Sequence, residues 1–470
     1  MPPTLVLLAC YAFVLWVFIL DHRKNPYPSL VLWLPTLWIM RCGSRSIDYW
    51  ISGNELERWD PIFVLVMLVL GLIVLAKRGS DWGMILGDNK ALLLFYGYLA
   101  VSVFWSDAFE NSVIKLFRPF TDLVMALVVV TEERPREAIM TMFRRCAILL
   151  IPLSVVLIKY FPELGRSQAK HWGNDLWIGV TTHKNPLGQL AMVSGLALLW
   201  TWRDLKQSGS QMKLQWVFWA YVALTLYLFN AGGGGSRSST SIGCVVVGAA
   251  LYLFLGHMRQ NAARISRKIV MVACCLLAAT LLLLFVGTSP QAFVAGLFGK
   301  DATLTDRAFL WNDVIRLGKE HLLLGAGYGS FWVPAIYARL SPEVNNNPAQ
   351  SHNGYLETFA NLGVVGIIFL GLVILGSLRS SLRQLNTHFE IGRLRFVLLV
   401  VVLIMNYTEA TFPRGTHLWW FGFLVVALST RRHEATETDE DALAADDRNA
   451  QDGEELSGRG APDQREVPCR

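Results

Sequence analysis

Long apolar stretches separated by short polar connections make up most of this chain. A helix that crosses a bilayer needs about 20 mostly apolar residues and satisfies its own backbone hydrogen bonds. The pattern therefore predicts an all-α polytopic membrane protein, with a bundle of about 12–13 transmembrane helices in residues 1–430. The candidate spans are residues 4–20, 29–41, 61–76, 91–104, 119–130, 147–160, 186–202, 214–230, 240–255, 269–287, 355–378, 396–407 and 417–429.

The longest polar interval, residues 289–354, predicts a large loop between two spans. Within it, apolar residues recur at helical spacing between Thr305 and Glu320, with Thr305 as the N-cap. We expect an amphipathic helix along the membrane surface, where Arg307 faces phosphate at the level of the headgroups.

Basic residues are concentrated in three connections, at positions 259–268, 379–395 and 431–432. Short loops rich in Lys and Arg mark the cytoplasmic side of a membrane protein. If the helices alternate in direction, the 289–354 loop lies on the outer side. The same rule places three further polar connections there, at residues 105–118, 161–185 and 230–239.

Composition agrees with a membrane protein and sets the C-terminus apart. The chain is 53% hydrophobic and 17% charged, with a mean hydropathy of +0.40. Residues 434–470 hold 12 Asp or Glu and 4 Arg, a net charge of −8, and no aromatic residue. We therefore expect residues 431–470 to form a disordered, acidic, cytoplasmic tail. The 7 cysteines show no C-x-x-C or Cys/His spacing, so neither a disulfide framework nor a metal site is predicted.

Four glycines precede Ser236 and Arg237 at the start of a predicted helix. Converging backbone N–H groups, the helix N-terminus and a guanidinium together make a complete anion site. The alternative is a flexible connection capped by serines. The segment lacks the Lys-Ser/Thr ending of a nucleotide P-loop.

His183, Lys184 and Asn185 precede Pro186 at the start of another predicted helix. They are placed to contact a polar substrate, or else they begin a helix whose Lys184 meets lipid phosphate. Arg118 and Arg166 fall on the same outer side. Each also has a structural alternative, in which the side chain extends to the headgroups.

Two motifs lie near the C-terminal end of the large loop. Gly325-x-Gly-x-Gly follows no buried strand, so we interpret it as a tight turn, with a backbone nest for an anion as a further possibility, and not as a dinucleotide site. His352 stands beside Asn353 and directly before a long apolar helix. At the membrane surface it is placed to act as a general base on a lipid-linked substrate.

The basic residues of these segments lie in four separate connections that the orientation rule places on one face. The rule used none of them. An outward-facing basic site indicates an anionic substrate reached from the membrane, and a lipid diphosphate is the class that fits. The residues are Arg118, Arg166, His183, Lys184, Arg237, Arg307 and His352.

Several motifs follow one another in a fixed order between Trp105 and Gly366. They are Trp105-Ser106 with Arg118, Gly165-Arg166, His183-Lys184-Asn185-Pro186-Leu187-Gly188, Ser236-Arg237, Thr305-x-Arg307-x-x-x-Trp311, Gly325-x-Gly-x-Gly-x-Phe331, Ser351-His352-Asn353-x-x-Leu356-Glu357 and Leu362-Gly363-x-x-Gly366. Their order and spacing resemble the O-antigen ligase and polymerase superfamily. The His-Lys-Asn-x-Leu-Gly element is most similar to exopolysaccharide polymerases of the succinoglycan type.

This resemblance implies a bacterial inner-membrane glycosyltransferase of the GT-C fold class. Such an enzyme needs no metal or other cofactor and acts on polyprenyl-diphosphate-linked glycans at the periplasmic face. By the resemblance, His352 is the general base for the acceptor hydroxyl, and Arg307 and Arg237 grip the diphosphate. The expected substrate-binding residues are Arg237, Arg166, Arg118, His183, Lys184, Asn185, Ser236 and Asn353.

We therefore expect a polymerase that transfers a growing glycan from its lipid diphosphate onto the next lipid-linked repeat unit. One alternative is a ligase that joins a finished glycan to lipid A core or another acceptor. Another is a transporter of a lipid-linked or anionic solute, which the scarcity of Asp and Glu in the spans disfavours. The expected partners are the glycan donor and acceptor, the bilayer, and chain-length regulator or export proteins. No nucleic acid is expected.

Overall fold

The computed structural model describes residues 2–24, 29–53, 58–168, 175–207, 212–229, 238–261, 305–342, 344 and 348–429. These residues are almost entirely helical, which confirms the predicted all-α membrane fold. Arg166–Gln168 (β1) and Asp175–Trp177 (β2) form an antiparallel pair. The helices are α1 (Pro3–Lys24), α2 (Trp33–Cys42), α3 (Ile47–Ser52), α4 (Trp59–Lys77), α5 (Trp82–Asp88), α6 (Lys90–Val101), α7 (Phe109–Val130), α8 (Pro135–Tyr160), α9 (Pro162–Gly165), α10 (Lys184–Gln207), α11 (Met212–Phe229), α12 (Ser239–Asn261), α13 (Thr305–Gly318), α14 (Pro334–Tyr337), α15 (Gly354–Thr387), α16 (Phe389–Met405) and α17 (Leu418–Ala427).

Within the described residues, five helices are long and apolar enough to cross a membrane. These are Pro3–Arg23, Trp59–Lys77, Pro135–Tyr160, Ser239–Arg259 and Gly354–Thr387. Helices α5 and α6, bent by 82°, make a sixth if they count as one span. The predicted 29–41 span is a short helix, and the predicted 269–287 span lies outside the described residues. The expected total of about 12–13 spans stays a prediction.

Polar contacts show which helix ends lie together. After α4, Arg78 forms an ion pair with Glu132, which follows α7. Asn89, between α5 and α6, exchanges hydrogen bonds of 2.8 and 2.9 Å with Ser429, which follows α17. These contacts mark one end of the bundle, which we call the opposite end. The starts of α4 and α10 gather at the other end, which we call the cavity end.

Helix α15 is broken inside its length at Gly363. Its backbone angles, φ 64° and ψ −164°, are accessible essentially only to glycine. A Cβ atom at this position would lie 2.3 Å from the carbonyl oxygen of Leu323. The amides of Val364 and Val365, just after the break, donate to the carbonyls of Leu322 and Leu323 at 2.9 and 3.2 Å. The loop before α15 thus satisfies backbone groups that a continuous helix would satisfy itself.

The glycine motif provides donors for the backbone carbonyls just before the break in α15. Its amides at Ala326 and Gly327 donate to the carbonyls of Ala360 and Asn361, at 3.1 and 2.9 Å. The Gly329 amide donates to Asn361 Oδ1 at 3.0 Å. The tight turn is therefore confirmed by three glycines with positive φ. Because these amides bond to protein acceptors, the idea that the turn is an anion nest is wrong.

The predicted amphipathic helix is present as α13 and begins at Thr305 itself. Its apolar face buries Leu310, Val314 and Leu317 in a small cluster with Phe331 and Ala360. The helix is thereby docked onto the start of α15, the helix that follows His352.

Candidate functional site

A cavity of about 580 Å³ opens at the cavity end of the bundle. Its wall comes from the end of α2, the start of α4, α7, the segment before α10, residues 349–352 and the 406–417 connection between α16 and α17. The wall is rich in charged and imidazole side chains. They are Arg41, Arg45, Asp48, Asp60, Arg118, His183, His352, Glu409, Arg414 and His417.

His352 is held in a strained position by buried neighbours. Its φ of 50° lies in the left-handed region, which is uncommon for a residue with a side chain. The flanking Ser351 and Asn353 are fully or almost fully buried. Trp311 donates to the Ser351 carbonyl at 2.8 Å, and Glu357 accepts from the Ser351 amide at 2.8 Å. Strain of this kind persists only where the surroundings enforce it, and it is concentrated at functional sites.

Glu409 connects three of the predicted residues. Its Oε1 atom accepts from Asn185 Nδ2 at 2.7 Å and lies 3.4 Å from Arg307 Nη2. Its Oε2 atom lies 3.7 Å from His352 Nδ1, slightly beyond hydrogen-bond distance. Among the described residues, that buried nitrogen has no hydrogen-bond partner. Glu409 is itself mostly buried, with 9% of its side chain exposed.

The connection that carries Glu409 is fixed by buried polar side chains. Asn406 Oδ1 accepts from the amides of Thr411 and Phe412, both at 3.0 Å. The fully buried Asp122 of α7 accepts from the Thr416 amide at 3.0 Å, and Thr416 has a positive φ of 59°. These bonds hold Glu409 in place relative to the bundle.

Arg118 and Arg41 meet at a second carboxylate, Asp60. Arg41 binds it in a two-pronged ion pair, with hydrogen bonds of 2.5 and 2.7 Å, and Arg118 Nη2 lies 3.8 Å away. Asp60 is almost completely buried. Arg414, on the 406–417 connection, donates to the side chain of Gln350.

Two histidines of the cavity wall have a lowered pKa, which favours the neutral form of the imidazole. Desolvation lowers the pKa of His183, and the charges of Lys184 and His352 act in the same direction. Desolvation lowers the pKa of His417 to about 3, and the nearby Arg414 contributes. His417 Nδ1 also accepts from the Trp419 amide at 3.3 Å and so caps α17.

The structure brings together five of the eight predicted site residues that it describes. Arg118, His183, Asn185 and His352 line the cavity, and Arg307 reaches it through Glu409. The Arg307 side chain also donates to the Thr408 carbonyl at 2.7 Å, so it turns toward the cavity wall. The expectation that it faces the headgroups is therefore wrong.

The other predicted residues are placed differently. Asn353 Oδ1 accepts from two amides in the first turn of α15 and acts as its N-cap. Arg166, in β1, donates to the Ile158 carbonyl and pairs with Asp175, and it is not among the residues that line the cavity. Lys184 is the first residue of α10, next to His183. Ser236 and Arg237 lie outside the described residues. The substrate roles of all these residues stay predictions.

Several charged wall residues were not anticipated from the sequence. Glu409 and Arg414 lie in a short gap between two apolar runs. Arg41 ends the predicted 29–41 span, and Arg45 follows it. The orientation rule was the available signal, since it also places these two connections on the outer side.

An all-α membrane bundle with a basic, histidine-containing cavity at one end is the class of protein that the fold and site define. Residues 220–371 match the sequence model of the O-antigen ligase family. This range contains Arg307, His352 and the first half of α15. The match confirms the resemblance to the O-antigen ligase and polymerase superfamily.

Two curated proteins are similar to this chain. The exopolysaccharide production protein ExoQ of Rhizobium meliloti (strain 1021) is 23% identical over 389 residues, which cover 76% of this chain and 82% of that protein. An uncharacterized protein of Haemophilus influenzae is 24% identical over 185 residues, or 36% of this chain and 44% of that protein.

Proposed function

We propose that the protein is a metal-independent membrane glycosyltransferase that polymerises lipid-linked oligosaccharide repeat units into surface polysaccharide or exopolysaccharide. The family match and the similarity to an exopolysaccharide production protein support a polysaccharide polymerase or ligase. The observation that carries the proposal is the cluster of His352, Glu409 and Arg307 at a basic cavity.

In this proposal His352 is the general base. Its Nδ1 atom faces Glu409, so a proton on Nδ1 directed at the carboxylate leaves the Nε2 lone pair for the substrate. The gap of 3.7 Å to Glu409 is compatible with this role, because such contacts often tighten only when substrate binds. The left-handed backbone of His352 sets the direction in which its side chain leaves the main chain.

The reaction is a single displacement at the anomeric carbon of a polyprenyl-diphosphate-linked glycan. The acceptor hydroxyl oxygen bonds to that carbon while Nε2 of His352 takes its proton. The bond from the anomeric carbon to the diphosphate oxygen breaks, and its electrons leave with the lipid diphosphate. Positive side chains fixed in the cavity stabilise the charge that develops on this leaving group.

Glu409 and Arg307 assist the base. The carboxylate stabilises the imidazolium that forms when His352 accepts the proton. Arg307 and Asn185 hold the carboxylate in position through Oε1, which leaves Oε2 directed at His352. Glu409 is in this sense a positioning residue, whereas His352 touches the substrate.

We further propose that the cavity faces the periplasm and the tail lies in the cytoplasm of a bacterial inner membrane. Arg203, Arg259 and Arg393 surround Glu390 at the start of α16, at the opposite end of the bundle. A concentration of arginines at that end agrees with the rule that cytoplasmic loops are basic.

A ligase is the alternative reaction, and the description of the matched family favours it. The two reactions differ in the acceptor, and loss of the gene separates them. Loss of a polymerase leaves single repeat units on the lipid, whereas loss of a ligase leaves long chains that are not attached to their final acceptor. Complementation with wild-type protein should restore polymer, and complementation with the His352→Ala variant should not. Long unattached chains in the deletion strain would overturn the polymerase proposal.

A further inference from the structure

A second cavity, of about 210 Å³, lies at the opposite end of the bundle, beside the corner between α5 and α6. We call it the corner cavity. Its wall comes from that corner, from the second half of α15 and from the end of α17. Apolar residues of α6 and α15 form one part of the wall, and charged and hydroxyl groups form another. The charged and hydroxyl residues are Asp88, Ser377, Arg379, Ser380, Arg383 and Ser429.

Hydrogen bonds hold the wall of the corner cavity in place. The two bonds between Asn89 and the backbone of Ser429 join the corner to the end of α17. The hydroxyls of Ser380 and Ser429 lie 3.4 Å apart, and Ser377 donates to the Val373 carbonyl at 2.8 Å. The cavity is therefore preformed, as expected of a binding site.

The charge of the corner cavity is positive. Arg379 and Arg383 are four residues apart on α15, so they lie on the same face of the helix, and both are exposed. Asp88 contributes one negative charge, which leaves the charged residues of the wall at +1. Three further basic residues lie within three positions of Asn89 or Ser429 in the sequence. They are Lys90, Arg431 and Arg432. An anion is therefore attracted to this corner.

The surroundings place the corner cavity at the level of the lipid headgroups. Helix α5 is bent by 82° from α6 and exposes Met84 and Leu86. A short helix with this direction and these side chains lies along the membrane surface. Beyond the corner, both α6 and α15 expose leucines of the kind that face acyl chains. These are Leu93 and Leu94 on α6 and Leu372 and Leu375 on α15.

The chain's own acidic segment, residues 434–470, is the competing anion. The first charged residues after Ser429 are Arg431 and Arg432, so the chain that directly follows the corner cavity is basic. A peptide of carboxylates also has no use for the exposed leucines of α6 and α15, whereas a phospholipid matches both the arginines and the leucines. The two observations together favour a lipid.

We propose that the corner cavity binds the phosphate of an anionic phospholipid, with Arg379 and Arg383 as its ligands and the acyl chains along α6 and α15. The planar fork of donors on arginine matches phosphate oxygens. Basic pockets between membrane helices bind lipid headgroups in this way. A bound lipid would join the ends of α15 and α17 to the α5–α6 corner. The site is separate from the cavity that contains His352, and the proposal does not depend on glycosyl transfer.

The test titrates full-length protein in detergent with phosphatidylglycerol that carries a fluorescent acyl chain. Arg379→Gln and Arg383→Gln should each weaken binding about fivefold, the contribution of one basic residue near an anionic lipid. Arg134→Gln is the matched control, because Arg134 precedes α8 at the same end of the bundle, pairs with Glu137 and does not line the corner cavity.

A second pair of variants tests the space and leaves every charge in place. Gly376→Leu puts a side chain into the wall of the corner cavity and should weaken binding at least about fivefold. Gly371→Leu is its control, because a Cβ atom has open space at both glycines but only Gly376 lines the cavity. Phosphatidylglycerol should also raise the melting temperature of the wild type, and raise it less in the variant that lacks both arginines.

A structural role of the arginines gives a different result. A favourable interaction with the C-terminal end of α15 would change the melting temperature and leave lipid binding as in the wild type. That result would overturn the proposal. Equal displacement of the labelled lipid by phosphatidylcholine, which has no net charge, would also overturn it.

Two competitors separate the sources of the anion. Inorganic phosphate should not displace the labelled lipid at concentrations where unlabelled phosphatidylglycerol does, and displacement would mean that the site takes a free anion. Displacement by a synthetic peptide of residues 434–470, lost in the variant without both arginines, would show that the acidic segment is the occupant.

Discussion

Replacing Glu409 with glutamine removes one charge beside His352 and keeps the shape of the side chain. The amide oxygen can still accept from Asn185, so the change acts mainly on charge. Two unit charges 3.7 Å apart interact by about 4.5 kcal/mol at an effective dielectric constant of about 20. Because the His352 side chain is 34% exposed, solvent screening reduces this to about 3–4 kcal/mol. We expect kcat to fall by about 10²–10³-fold.

The assay follows polymer formation by purified protein from a lipid-linked repeat unit, with kcat and KM measured separately. The loss should appear in kcat, because the carboxylate acts on an imidazolium that exists only as the proton is transferred. Glu320→Gln is the matched control, since Glu320 forms an exposed ion pair with Arg339 away from the cavity. A fall in kcat of less than about threefold in Glu409→Gln, with normal melting temperature, would refute the role assigned to Glu409.

Four further changes probe the base, its support and the fold. His352→Ala should lower kcat by about 10²–10⁴-fold at normal expression, because it removes the general base; wild-type activity would exclude that role. Arg307→Lys should lower activity at least about tenfold, because an ammonium cannot hold Thr408 and Glu409 in the same two-pronged way, and unchanged activity would mean that charge alone suffices. His417→Asn keeps the helix cap but cannot titrate. The pKa of His417 in the folded protein lies below its unfolded value of about 6.5, so the stability that the neutral imidazole contributes is full above pH 6.5 and falls as the pH drops, by about 2 kcal/mol at pH 5. The melting temperature of the variant should therefore depend less on pH between 8 and 5 than that of the wild type. Equal pH dependence in the two proteins would contradict the lowered pKa. Gly363→Ala should destabilise the protein by about 1–3 kcal/mol or more through backbone strain. Gly371→Ala is the control and should not, because its new Cβ has open space around it. Equal melting temperatures of the two variants would contradict the break of α15 at Gly363.

The pattern of apolar stretches was sufficient to predict the fold class and which connections lie at the same end of the bundle. Spans are set by local composition, and the alternation of helices then determines which connections meet. This is why His183 and His352, which come from two separate connections, were correctly expected at the same end of the bundle. The helix of the large loop was also predictable, because its spacing of apolar residues is local.

The detailed partners could not be predicted, because they depend on long-range contacts that no local pattern encodes. Asn185 and Glu409 are 224 positions apart in the chain. Asn353 looked like a polar residue available to substrate, yet its side-chain oxygen is used by the amides that begin α15. The glycine motif suggested an anion nest, but its amides complete a helix that breaks 38 positions after Gly325, at Gly363.

Two unfavourable backbone conformations lie beside the cavity, and each is enforced by a buried polar contact. The left-handed His352 is held through Ser351 by Glu357. The left-handed Thr416 is held by Asp122. Each such conformation costs on the order of 1–3 kcal/mol. A fold that maintains them gains nothing in stability from doing so, whereas a catalyst gains groups that need no reorganisation when charge develops. Strain on both segments that carry Glu409 and His352 is therefore an argument, independent of family resemblance, that this cavity performs chemistry and is not a passive feature of the bundle.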